Sequence, residues 1–318
     1  MNHTTTLLDI PIKDVAAQIF SRPCLFVNPT AYIFQIVTYL AIGPQIYVDG
    51  LIVINESKKP IGIISSKHII FNIINTGYPE WLKITAEQIM DDFAGTVDMN
   101  SPLSKVLKIF DKTRFAFVPI IASNSDKNIR SRDPTASQEV VASLSIRDIL
   151  PLIAKMNIGR PIKDLCSPLM SVDKNNSVRN VIDLMIKYHI RNIGIREASK
   201  VDENIIKTNK NKDKNNKTKL IRIINDRKIL EFLLSHNGRN IMQANGVAGL
   251  ANIDIINHLN ILSTKKVECD TATSKAAKLL MDIRNPCLIL EGKKYDDYSI
   301  VTPWDIVMKT SEIRSCLG

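Results

Sequence analysis

The chain has 318 residues, 45% hydrophobic and 23% charged, with a net charge of +10 and five cysteines. That length is more than one core usually serves and points to two or three domains. Only 12 glycines, and no C-x-x-C pair among Cys24, Cys166, Cys269, Cys287 and Cys316, argue against glycine-rich phosphate loops, zinc sites and a disulfide frame, and suit reduced intracellular thiols.

The N-terminus lacks a basic region followed by an apolar one, and no run approaches 18 apolar residues. A cytoplasmic protein without a membrane span is therefore expected. In the first 80 residues, Ile33, Ile36, Val37 and Leu40 recur at helical spacing, and a strand, LIVI, follows at 51–54. A second strand then runs into a helix in IGIISSKHII, 61–70.

The order repeats. Leu103, Val106, Leu107 and Phe110 mark a helix whose start is expected at Ser101–Pro102; AFVPII is a strand, and VASLSIRDIL (141–150) is the strand-to-helix junction. Val178, Val181, Ile182 and Met185 lead to NIGI and to IRIINDRKIL, 221–230. Residues 271–292 run from helix into CLIL and on to YSIVTPWDIV, 298–307. The junction residues Ser65, Ser145, Asn225 and Thr302 are spaced by 80, 80 and 77 residues. Each unit reads strand, helix, strand, strand, helix, and is too small to bury its sheet alone, so units should pair.

Two polar segments interrupt the pattern, 123–139 and 199–219, and read as solvated or disordered hairpin inserts. The second holds seven lysines against three acids, so it supplies +4 of the +10. Much of the basic charge is thus a loop, which argues against a nucleic-acid surface. His3, His68, His189, His236 and His258 form no metal or nucleophile motif, so no enzyme is expected.

Strand–strand–[ST]-x-x-D–helix, preceded by an amphipathic helix and a short apolar strand, resembles the CBS domain. The resemblance runs from about residue 10 to 310 and is strongest in units two to four. It implies an α+β fold of four β-α-β-β-α repeats arranged as two pseudo-twofold CBS pairs (Bateman modules). The boundaries expected are 1–80, 81–157, 158–237 and 238–318, with the four units forming a disc in one chain or completing it as a homodimer.

Family members commonly bind adenine nucleotides or related adenosyl ligands between their units, the hydroxyl and carboxylate of the terminal motif often contacting ribose. The resemblance implies a regulatory ligand, AMP, ADP, ATP or S-adenosylmethionine, no catalytic cofactor, and a regulated partner protein. Ser145 with Asp148, and Thr302 with Asp305, carry the complete motif; unit one has His68 and unit three Lys228 in the acid position. A carboxylate can accept two hydrogen bonds from a ribose diol. The same spacing makes a capping box at a helix start, and both roles fit one residue pair.

By analogy the ligand slots would be lined by Thr96, Val97, Phe117, Val118 and Pro119 in unit two, and by Val267, Glu268, Pro286, Cys287 and Leu288 in unit four. Core packing is the competing role for all of these. Trp304 would cover the ligand or pack. Lys67, His68, Arg114, Arg191, Arg222, Arg227 and Lys228 are the candidate phosphate contacts, solvation or drift being the alternatives. A scaffold whose degenerate sites bind nothing is the second functional reading, and a basic nucleic-acid-binding protein the third.

Overall fold

The computed structural model describes residues 7–41, 49–76, 80–92, 95–122, 139–198, 218–259, 262–291 and 298–310. Most of both expected inserts, 123–138 and 199–217, lies outside them. The five-element unit is built four times. Unit one comprises Phe26–Val27, Ile33–Ala41, Leu51–Ile54, Pro60–Ile64 and Ser66–Thr76. Unit two comprises Val97–Asp98, Leu103–Thr113, Phe117–Ile121 and Val140–Ser145, then a 3-10 turn, Ile146–Ile149, that runs into helix Leu150–Lys155. Unit three comprises Ser171–Asp173, Val178–Tyr188, Asn192–Ala198, Thr218–Asn225 and Asp226–Leu234. Unit four comprises Lys265–Val267, Thr273–Leu280, Leu288–Glu291, Tyr298–Val301 and Pro303–Lys309.

The helical periodicity fixes which face goes inside. Leu103, Val106, Leu107 and Phe110 are all 0% exposed. Helix Leu103–Thr113 starts one residue later than expected, with Pro102 as its N-cap and no side-chain cap bond. It ends at Arg114 in the left-handed region (φ 60), as Val178–Tyr188 ends at His189 (φ 53). Neither end uses glycine, the residue that favours this turn.

In each unit the first strand runs parallel to the second, and the second antiparallel to the third. The register places Phe117 opposite Ser145 and Asn192 opposite Asn225. Continued by one step, it sets Gly50 against Ser65 and Cys287 against Thr302. Gly50, Phe117, Asn192 and Cys287 are thus equivalent positions, as are Asp49, Ala116, Arg191 and Pro286 just before them.

The segment ahead of each unit docks on the other unit of its pair. Ile12 N donates to Ser101 O at 3.0 Å and Leu103 N to Ile10 O at 3.0 Å, joining the N-terminal segment to unit two. Ile33 N donates to Ile84 O at 2.8 Å, joining the segment ahead of unit two to unit one. Ile162 N to Thr271 O and Val178 N to Ile253 O, both 2.9 Å, repeat this exchange between units three and four. Two of these segments extend sheets: Asp91–Asp92 pairs with unit one and Ser167–Pro168 with unit four.

Within pairs, sheet faces meet. Ile52, Ile54 and Ile63 pack with Phe117, and Ile223 packs with Cys287, Ile289 and Ile300. Between pairs, helices meet: unit one packs on unit three in one core, and unit two on unit four in another. The four units therefore close into a ring within one chain, and no second copy is needed to complete it. No described helix is long and apolar enough to cross a membrane.

Candidate functional site

Both complete motifs form capping boxes. Ser145 N donates to Asp148 Oδ2 at 2.7 Å while Ser145 Oγ accepts from Arg147 N at 3.2 Å. Thr302 N donates to Asp305 Oδ2 at 2.9 Å, and Thr302 Oγ1 accepts from Asp305 N at 3.4 Å and donates to Asp305 Oδ2 at 2.6 Å. The motif thus performs the local task its spacing predicts, with orphan amides at a helix start satisfied by side chains.

Both carboxylates are buried, at 7% and 6% exposure, and buried charge needs partners. Asp148 takes a bidentate guanidinium. Arg22 Nη1 donates to Oδ1 at 2.8 Å and Nη2 to Oδ2 at 2.6 Å, and Nη2 also reaches Ser143 O at 2.9 Å. Burial holds the Asp148 pKa above the ordinary 3.8; the Arg22 guanidinium opposes that rise and the charge of Asp49 adds to it. Asp305 takes Lys309 Nζ at 2.6 Å on its own helix, and Ser167 Oγ at 3.3 Å. Arg22 and Ser167 hold the same place in the fold, each in the segment handed over from the other unit of the pair.

The incomplete motifs keep the cap and change the chemistry. In unit one, Ser65 N donates to His68 Nδ1 at 2.9 Å, the ring nitrogen replacing a carboxylate oxygen. His68 Nε2 lies 2.9 Å from Asp91 Oδ2, and its ring stacks on Phe115 with centroids 5.4 Å apart. Asp91 also lies in a handed-over segment. The polarity of the Arg22–Asp148 contact is therefore reversed at His68–Asp91. In unit three, Asn225 caps by accepting from Lys228 N at 3.0 Å, and Lys228 Nζ pairs with Glu231.

Polar contacts continue from Asp148 to the middle of the ring. Ser145 Oγ donates to Asp49 Oδ2. Arg191 bridges Asp49, at 3.1 Å, and Asp226, at 2.6 Å, and Ser66 Oγ donates to Asp226. Three units and both pairs are tied by this chain of contacts.

The remaining candidates fall in several places. Lys67 and Arg222 are exposed. Arg227 Nε donates to Ala41 O at 3.1 Å, a contact from unit three to unit one. Arg114 is exposed, 3.5 Å from Asp111 and 5.9 Å from the centre of the Trp304 ring. Thr96, Val267 and Trp304 are half-buried, Pro119 is buried and Glu268 exposed. Val97, Phe117 and Cys287 are 0%, 2% and 0% exposed and sit in the cores. Among the described residues, no group of three or more His, Cys, Asp or Glu could hold a metal ion.

Sequence reasoning missed Arg22, Asp49, Ser66 and Asp226. One signal was present: Arg22 and Asp49 bracket residues 23–48, which contain no charged side chain. Another was PIKD, which occurs at 11–14 and again at 161–164, in two of the handed-over segments.

Residues 12–75 match the family model described as CBS domain, in the unit whose motif lacks the acid. No curated protein matches the chain. Among solved structures, the fold is similar to that of a protein from Methanocaldococcus jannaschii proposed as an archaeal homolog of g-AMPK. That likeness has a TM-score of 0.69 and 17% identity, covering 93% of this chain and 98% of that one. An uncharacterized conserved protein from Pyrococcus horikoshii is similar at TM-score 0.50 and 12% identity, with 92% and 96% covered. Residues 12–75 thus carry a CBS domain, and the chain as a whole is built from four units of one design in a fold shared with these structures across nearly its whole length.

Proposed function

We propose that the chain is a regulatory, non-catalytic sensor that binds an adenosine nucleotide or a related adenosyl ligand in the cleft of its second pair. Asp305 and Thr302 hold the ribose. The observation that carries this reading is the replaceable company that Asp305 keeps. Beside the Thr302 amide of its own cap, its partners are two hydroxyls, Thr302 and Ser167, and the ammonium of Lys309, whose side chain is 31% exposed. Ribose hydroxyls can exchange for the two protein hydroxyls at little cost, because each bond lost is matched by one formed. Lys309, once released, is placed to meet a phosphate.

Binding in a cleft between units three and four changes the geometry of that pair. The ring transmits the change, since helices of each pair pack on those of the other. A partner protein that prefers one arrangement is then regulated through its differential affinity. If AMP, ADP and ATP compete for this cleft, the output reports cellular energy state.

A second reading, a scaffold that binds no ligand, is favoured by the bidentate Arg22–Asp148 contact, which shows one motif wholly engaged inside the protein. Calorimetric titration with AMP, ADP, ATP and S-adenosylmethionine separates the two. Saturable binding that Asp305→Ala removes supports the sensor. Absence of heat with all four ligands, with Asp305→Ala merely less stable, supports the scaffold.

A further inference from the structure

We propose that Arg22 is a built-in stopper of the Asp148 cleft, so that a ribose takes this carboxylate only when the N-terminal segment moves away. The proposal rests on the reading of the motif carboxylates as ribose acceptors. A vicinal diol needs both carboxylate oxygens, and both are covered by the two arms of the guanidinium, at 2.8 and 2.6 Å. The third contact, to Ser143 O at 2.9 Å, fixes the fork in its plane. Arginine matches a carboxylate in this geometry better than any other side chain, so it competes with a diol on equal terms and without loss of translational freedom.

The equivalent place in the second pair is filled differently. Ser167 there offers Asp305 one hydroxyl at 3.3 Å, and Lys309, on the same helix as Asp305, holds Oδ1 at 2.6 Å. The two clefts of one chain are thus unlike: one carboxylate is held by a bidentate guanidinium from a handed-over segment, the other by a single ammonium from its own helix.

The condition is set by the segment that bears Arg22. Turn Ala17–Ser21 and helix Ile12–Val15 lead directly to it. Ile12, Ala16 and Ile19 are all 0% exposed and lie in the core shared by units two and four. Moving Arg22 out therefore strains a segment anchored where the two pairs meet. Filling the Asp148 cleft and loosening that contact are one event, and the segment 7–22 is the element that reports it.

The test is calorimetric titration of the full chain with AMP, comparing wild type, Arg22→Gln, Arg22→Gln/Asp148→Asn and Asp305→Asn. Arg22→Gln is expected to bind one further molecule of AMP, or to bind it about tenfold more tightly. The double variant, which carries no stranded charge, is expected to lose that gain. Asp305→Asn is expected to lose the first binding event alone. If wild type binds through Asp305 and Arg22→Gln titrates identically or more weakly, the stopper is wrong while the sensor reading stands. If wild type is silent and Arg22→Gln binds, the stopper stands and the Asp305 reading falls. Silence in every folded variant overturns both. Should Arg22→Gln unfold, Arg22→Lys keeps the charge and gives up the fork; it must show a smaller gain, and no gain overturns the proposal.

Discussion

Asp49 and Arg191 hold equivalent places in units one and three, and meet as an ion pair across the ring, Arg191 Nη1 lying 3.1 Å from Asp49 Oδ1. Ser66 and Asp226, each directly after a junction, are also equivalent and also bonded. The contact between the two pairs thus carries a twofold relation of its own, written in opposite charges. Like charges at both places would repel; the divergence of the repeats is what allows the contact.

Arg191→Ala removes the bridge and leaves Asp49 and Asp226, both under 8% exposed, without it. The arginine side chain is 39% exposed, so water screens part of the loss. Urea denaturation should show a loss of about 2 kcal/mol. Arg191→Lys should recover little of it, since a compact ammonium lacks the spread of the guanidinium, which reaches Asp226 through Nε and Asp49 through Nη1. A loss no larger than that of an exposed salt bridge would show that the Arg191 bridge adds little to the contact between the pairs.

The reversed polarity at His68–Asp91 makes a swap testable. His68→Asp gives unit one the acid that units two and four carry but sets it against Asp91, which is 56% exposed, and should cost about 1 kcal/mol. His68→Asp/Asp91→Arg rebuilds in unit one the contact that Arg22 and Asp148 make in unit two. Its melting temperature should return close to that of wild type. Equal melting temperatures for the single and double variants would show that the two residues are not coupled.

Four junctions were legible in the sequence because the signals are local. A β-branched run followed by a capping side chain, joined in units two and four by an acid three residues on, is set by strand sterics and helix-end amides. Buried helix faces were legible for the same reason, as Leu103, Val106, Leu107 and Phe110 show. The exchange of leading segments was not, because it depends on tertiary pairing, although PIKD appears in two of them. The partner of Asp148 lay 126 residues upstream in sequence, where no spacing rule reaches. Phe117 and Cys287 illustrate the limit for slot residues: alternation marks a strand face as apolar but leaves open whether another sheet or a ligand covers it.

Gly50 and Phe117 are equivalent positions that meet inside the first pair, one with no side chain and the other with a large one. A Cβ at residue 50 would lie 2.1 Å from Phe117 Cε1 and 2.7 Å from Ile64 O. Gly50→Ala should therefore destabilise by about 1–3 kcal/mol through overpacking. Phe117→Leu added to it should recover part of the loss, since the ring clash goes and the carbonyl clash stays. An equally stable Gly50→Ala protein would mean that the sheet interface gives way easily.

Burial pushes the Cys287 thiol up to about 12, with Arg147 opposing the rise, and the Cys24 thiol up to about 11, with Arg22 opposing. Near neutral pH neither should react with iodoacetamide in the folded protein, whereas, of the described cysteines, the half-buried Cys166 and Cys269 should be modified first. The linkage has a definite sign. The unfolded chain loses these protons near 9, the ordinary value, and the folded chain only near 11 and 12. The stabilisation is fully present below pH 9 and is lost as pH rises through 11 and 12, because the unfolded state binds fewer protons across that window. Chemical denaturation at a series of pH values should show this fall, and Cys287→Val should flatten it while filling the same space between Ile223 and Ile289. An unchanged slope in that variant would place the alkaline loss on other groups and remove Cys287 from the account.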